Sequence, residues 1–157
     1  MKQKRTLSLI LCIAVPLLAG LLSALISSAL STSLEWLATP PLAPSRIAFM
    51  ILWPVLYLLI GFALFLVLQS NTSAPDKRVA LVLFIVQLAL HFVFAPVFFR
   101  FQLFWLAFVL IVFLDIAVIL CARVFHTILP FAGWLMVPYL LWLLFTSYLT
   151  LGCALLN

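Results

Sequence analysis

The chain has 157 residues, of which 69% are hydrophobic and 7% charged, with a formal net charge of +5. A soluble domain is about half apolar and about a quarter charged, and a small soluble fold leaves too much surface exposed to hide so much apolar area. Lipid is the solvent that fits, and the few basic residues, set at the ends of apolar runs, suit topology signals rather than a nucleic-acid footprint.

A membrane span takes ~20 apolar residues, roughly 30 Å of helix. The length therefore predicts four to six spans and almost no soluble domain. The first apolar run, Leu7 to Leu30, follows Lys2, Lys4 and Arg5. It opens like a secretory signal peptide, but it is longer than a signal core and is read as a retained helix, with Pro16 and Gly20 to kink it or admit a neighbour. A proline-marked loop covers Ser31 to Pro44 and contains Glu35 and Trp36. The second run is Ser45 to Gln69, and a polar turn follows from Ser70 to Lys77. The third run is Arg78 to Phe99, interrupted at Arg100 and Gln102, and the fourth covers 103–123. Arg123 and His126 mark the next turn, and the last run occupies 128–156. These runs do not alternate as barrel strands do. The expected fold is an all-α membrane protein, a single bundle of five transmembrane helices.

With the N-terminus in the cytoplasm, Lys2, Lys4, Arg5, Lys77, Arg78 and Arg123 lie inside and only Arg46 and Arg100 outside. The positive-inside bias therefore predicts that orientation, with the Ser31–Pro44 loop on the outer side. A basic N-terminus and helical spans suit a bacterial inner membrane. Cys12, Cys121 and Cys153 each sit within an apolar run, without a cysteine or histidine cluster nearby. They are expected as small buried hydrophobes rather than disulfide or zinc partners.

Polar groups within a span are costly unless they face protein or water, so each is a site candidate. Counted from the outer helix ends, Trp53 and Tyr57, Gln87 and His91, Asp115, and Trp142 fall at depths of roughly 12–20 Å, with Tyr139 and Thr146 on the Trp142 face. Trp53/Tyr57 and Gln87/His91 are four residues apart, and Tyr139, Trp142 and Thr146 also share a face. Four helices thus bring an apolar, aromatic chamber with a few hydrogen-bonding groups to one level, which suits a flat lipophilic ligand. Each residue also has a plainer role. His91 can bond a neighbouring helix or pair with Asp115. Asp115 can be a neutral acid bonded to a backbone carbonyl. Gln87 suits interhelical glue better than ligand contact, and Trp36 and Trp105 read as interface anchors. No triad, phosphate loop or HExxH pattern is present, and one His–Asp pair is weak evidence for acid–base catalysis.

Three blocks resemble the translocator protein family (TspO, the tryptophan-rich sensory proteins, once called peripheral benzodiazepine receptors). They are residues 40–57, PPLAPSRIAFMILWPVLY, residues 87–99, QLALHFVFAPVFF, and residues 137–149, VPYLLWLLFTSYL. The blocks stand in family order and at family spacing. The resemblance implies a five-helix bundle, often a homodimer, with a pocket beneath the first long loop. Family members bind porphyrins such as protoporphyrin IX and haem, and some bind sterols or synthetic ligands. Light-dependent porphyrin breakdown has been proposed for some. By position, Trp53, Tyr57, His91, Pro138, Tyr139 and Trp142 match pocket or motif residues. The chain departs from the pattern where Leu42 and Ile47 replace tryptophans, Ser45 a proline, Thr39 a Lys, His91 an Asn, and Phe92 and Phe94 a Trp. The lost tryptophans weigh against tryptophan-dependent photochemistry, while His91 offers an imidazole that suits a haem iron.

The reading is therefore a protein that binds, transports or senses a porphyrin-like or sterol-like ligand, with membrane lipid around it, no nucleic acid and no obligate cofactor. The Ser31–Pro44 loop serves as lid. Two rivals are a light-dependent porphyrin-degrading enzyme and a sensory or scaffold protein without ligand chemistry.

Overall fold

The computed structural model describes residues 2–28 and 37–157, so the 31–36 part of the expected lid, with Glu35 and Trp36, lies outside the described residues. Five long helices make up almost everything else: α1 (Lys2–Ser28), α2 (Arg46–Gln69), α3 (Ala74–Ala95), α4 (Phe104–Ile128) and α5 (Pro130–Leu156). Each is long and apolar enough to cross a bilayer. There is no strand among the described residues. The chain is an integral, multi-pass membrane protein.

The helices outrun the apolar runs at several ends. α1 begins at Lys2 rather than Leu7. α3 begins at Ala74, within the expected turn, because Ser73 caps it. The Asp76 amide donates to Ser73 Oγ at 3.3 Å, and that hydroxyl donates to Asp76 Oδ2 at 2.5 Å. This reciprocal cap, with Pro75 in the first turn, supplies a start signal that does not depend on hydropathy. α4 runs through Arg123 and His126 to Ile128, so the turn sits at Leu129 instead. Basic side chains are well placed near a helix C-terminus, and long ones reach water from within the span. α3 leads directly into one π-helical stretch, Pro96–Arg100. The chain then reverses through Gln102 at φ 54°.

Around the bundle the helices neighbour one another in the order α1, α2, α5, α4, α3 and back to α1. The α2–α3 and α4–α5 connections are short, so the N-termini of α1, α3 and α5 and the C-termini of α2 and α4 share one end of the molecule. At that end no polar side chain is buried among the described residues: Ala63, Val67, Ala80, Phe125 and Ala132 are fully buried, and Phe84 stacks on Phe125. The outward faces are apolar, as in Leu7, Leu11, Leu18 and Leu25 of α1, each more than half exposed. Trp105 and Trp134 are exposed near opposite ends of the bundle, where amphipathic indoles suit a membrane interface. The three cysteines are buried free thiols.

Candidate functional site

The side chains that gather toward the other half of the bundle come mainly from α2, α3 and α5. Ser45 caps α2 by accepting the Ala48 N–H at 3.3 Å, which fixes where the helix begins. Phe49, Trp53 and Tyr57 then follow at four-residue steps and form one ladder, with ring centroids 6.4 and 5.8 Å apart. His91 of α3 meets it from the side. Its ring lies 4.5 Å from Trp53, edge to face, and its Nε2 is 2.6 Å from Tyr57 Oη. Tyr139 of α5 completes the line, with Oη a long 3.5 Å from His91 Nδ1. A neutral imidazole satisfies both contacts if Nε2 accepts from Tyr57 and Nδ1–H donates to Tyr139, or with the two roles reversed. Trp142, one turn along α5, stands 6.3 Å from Trp53 and 5.4 Å from Phe49, both nearly perpendicular. Offset and perpendicular ring pairs of this kind contribute about 0.5–1.5 kcal/mol each beyond their buried area.

α1 forms the back wall. Gly20 faces the Tyr57 ring, and a Cβ there would run into it. The missing side chain leaves the room in which the phenol reaches His91. Beside it, Ser23 Oγ donates to the Phe92 carbonyl at 2.9 Å and ties α1 to α3 next to the histidine.

The deeper polar residues behave differently. Asp115 is buried, and its Oδ2 accepts from Ser147 Oγ at 2.6 Å. It therefore pairs with neither His91 nor a backbone carbonyl. The hydroxyl of Ser147, which residue counting did not single out, takes that place. Gln87 is fully buried one turn below His91, yet neither its amide nitrogen nor its oxygen has a hydrogen-bond partner. The expected role of interhelical glue is thus unfilled. Asp115 Oδ1 and Trp142 Nε1 are likewise buried and unsatisfied. Each such atom costs about 1–3 kcal/mol unless something pairs with it. Thr146 is buried, but its hydroxyl is spent on the Trp142 carbonyl at 2.8 Å. Pro138 is exposed on the outside of α5, away from the rings that Tyr139 and Trp142 join.

Ahead of α2, residues 37–44 form a strap docked on the last turns of α5. The Asn157 amide grips Ala38 twice: Oδ1 accepts its N–H at 3.1 Å, and Nδ2 donates to its carbonyl at 3.0 Å. Pro40 is buried against Gly152, where a Cβ would meet its ring at 2.6 Å. Tyr148 Oη donates to the Pro41 carbonyl at 3.1 Å. Tyr148 also stacks near Phe145, and Phe145 lies 5.5 Å from Trp142. A row of rings on α5 therefore runs from the strap into the cluster. Gly20 was expected to admit a neighbour and does so for Tyr57, whereas Phe49, Ser147, Tyr148 and Asn157 were not singled out from the sequence. Only Phe49, one turn before Trp53, carried a signal that spacing could have found.

The arrangement offers ring faces and edges, one indole N–H and a buried amide. It offers no free imidazole nitrogen, since both nitrogens of His91 face tyrosine hydroxyls. Iron ligation by His91 would have to break the shorter of these contacts.

A family model described as the TspO/MBR family matches residues 12–156. The chain is 33% identical over 156 residues to the tryptophan-rich protein TspO of Chlorobaculum tepidum, covering 99% of each chain. It is 40% identical over 106 residues to the tryptophan-rich protein TspO of Archaeoglobus fulgidus, covering 67% of each. It is 34% identical over 122 residues to the translocator protein homolog of Schizosaccharomyces pombe, covering 75% of this chain and 73% of that one.

Proposed function

The chain belongs to the TspO/MBR family, and from that premise we propose that it binds a flat, lipophilic ligand of the porphyrin type among Phe49, Trp53, His91 and Trp142, beneath the 37–44 strap. The observation that carries the reading is the convergence of rings from α2 and α5 on His91 of α3, with the indole N–H of Trp142 left unsatisfied. A tetrapyrrole would stack on the indoles and present an acceptor to that N–H. Gln87 would meet a polar edge, and Asp115, already held by Ser147, would set the polarity below. With both His91 nitrogens engaged, a metal-free porphyrin suits the site better than a haem bound through iron. Sterol-like ligands share the required shape and apolarity but lack the extended π-face. A homodimer, a bacterial inner membrane and a cytoplasmic N-terminus complete the proposal, the last resting on the basic residues at one end.

Titration with protoporphyrin IX tests it through intrinsic tryptophan fluorescence. Saturable quenching is expected, with a midpoint that rises in Trp53→Phe and Trp142→Phe. Unsaturable quenching, or midpoints that do not move, would contradict it.

Light-driven breakdown of the ligand is the second reading, favoured by two indoles 6.3 Å apart at the same site. It predicts that illumination bleaches porphyrin absorbance over many turnovers and that Trp142→Phe stops the bleaching. Stoichiometric binding without product excludes it.

A further inference from the structure

At the end of the bundle opposite the strap, a cleft of about 390 Å³ is lined by Arg5, Thr6, Leu9 and Phe65. It lies between the first turns of α1 and the last turns of α2. Its walls are graded. Arg5 and Thr6 are exposed, Leu9 is half-buried and Phe65 is buried. Leu9 lies four residues beyond Arg5 on one helix, about 6 Å deeper into the membrane. The mouth is therefore cationic and hydrogen-bonding, and the floor is aliphatic and aromatic.

The surroundings share the sign of the mouth. The same end of the bundle carries Lys4, Lys77, Arg78 and Arg123, and Asp76 is its one carboxylate among the described residues. Asp76 is already committed to the α3 cap. A guanidinium matches a phosphate in geometry as well as charge, through two parallel N–H donors. An apolar floor one turn below such a phosphate fits the glycerol backbone and the first methylenes of an acyl chain. Basic residues near a bilayer surface favour anionic over zwitterionic headgroups.

We propose that this cleft is a binding site for one anionic phospholipid, its phosphate on Arg5 and its acyl chain against Leu9 and Phe65. The site is distinct from the aromatic cluster, and it stands or falls independently of the porphyrin reading. A single lipid here would pin α1 to α2 at the membrane surface.

Native mass spectrometry of the full chain, released from a non-ionic detergent, tests this with phosphatidylglycerol, phosphatidylcholine and inorganic phosphate as probes. One phosphatidylglycerol is expected to remain bound per chain, in preference to phosphatidylcholine, with no displacement by millimolar phosphate. Arg5→Gln should weaken that adduct about fivefold. Arg123→Gln, at the same end but outside the cleft, should leave it unchanged. The proposal is overturned if phosphatidylcholine is retained equally. It is also overturned if phosphate alone displaces the lipid, or if Arg5→Gln is no weaker than Arg123→Gln. Both arginines are exposed, so neither substitution disturbs the packed interior.

Discussion

The two halves of the bundle are made from the same helices but by different rules. Toward the Lys4–Arg5 end, small and branched residues such as Ala63, Val67, Ala80 and Ala132 fill the interior, and no polar side chain is buried there among the described residues. Toward the strap, rings from α2, α3 and α5 meet one another, and side-chain hydrogen bonds link the helices: Tyr57 to His91, Ser147 to Asp115, Ser23 to Phe92. In lipid the helices gain nothing from hiding apolar surface, so close packing and polar contacts must hold them together. The first half uses packing. The second uses polar and ring contacts and leaves several buried polar atoms unsatisfied.

Substitutions that treat the halves differently can break this contrast. The largest effect is expected for Phe125→Ala, which empties a fully buried ring position in the first half and should cost about 3–5 kcal/mol. Thermal unfolding in detergent reads it, and the surviving folded protein should bind porphyrin with unchanged affinity. A loss of affinity would mean the halves are not separable. Tyr57→Phe comes next. It leaves His91 Nε2 without its 2.6 Å partner, and about 1–3 kcal/mol of stability should go with it. Ligand affinity should also shift, because the histidine is freed to turn. Asn157→Ala removes two contacts that hold the strap and should cost about 1 kcal/mol. Faster proteolytic cleavage within residues 37–44 is the readout, and unchanged cleavage would mean that Pro40 on Gly152 holds the strap alone. The smallest effect is expected for Gln87→Leu. Replacing an unsatisfied buried amide by an apolar group of similar size should be neutral or mildly stabilising in the free protein. Clear destabilisation would show that water satisfies the amide in the bilayer.

Much of this contrast was legible in the sequence, and the part that was not has a physical reason. Apolar runs located all five helices because hydropathy reports solvent. They misplaced ends such as Lys2, Ala74 and Ile128, because snorkelling side chains and a serine cap extend a helix past its apolar stretch. Counting residues from the helix ends set Trp53, Tyr57, His91 and Trp142 at one depth, with Tyr139 on the Trp142 face, and their rings do meet in the structure. Depth alone leaves rotation about each helix axis undetermined. Asp115 turned to Ser147, and Gln87 met no partner, for that reason. Pro138 shows the same thing within one helix, since a single-residue step rotates it about 100° from Tyr139. The strap contacts join residues 38 and 157, a separation at which no local pattern gives warning.

The central claim is that a planar ligand rests on the indoles at His91 rather than on those at the membrane surface. Porphyrin titration followed by the Soret band would compare two double variants, Trp53→Ala with Trp142→Ala and Trp105→Ala with Trp134→Ala. The first pair should lose affinity by about tenfold or more, as expected for removing two ring contacts, and the second should remain within about twofold of the parent chain. Equal losses in the two, or a loss confined to the surface pair, would contradict the account.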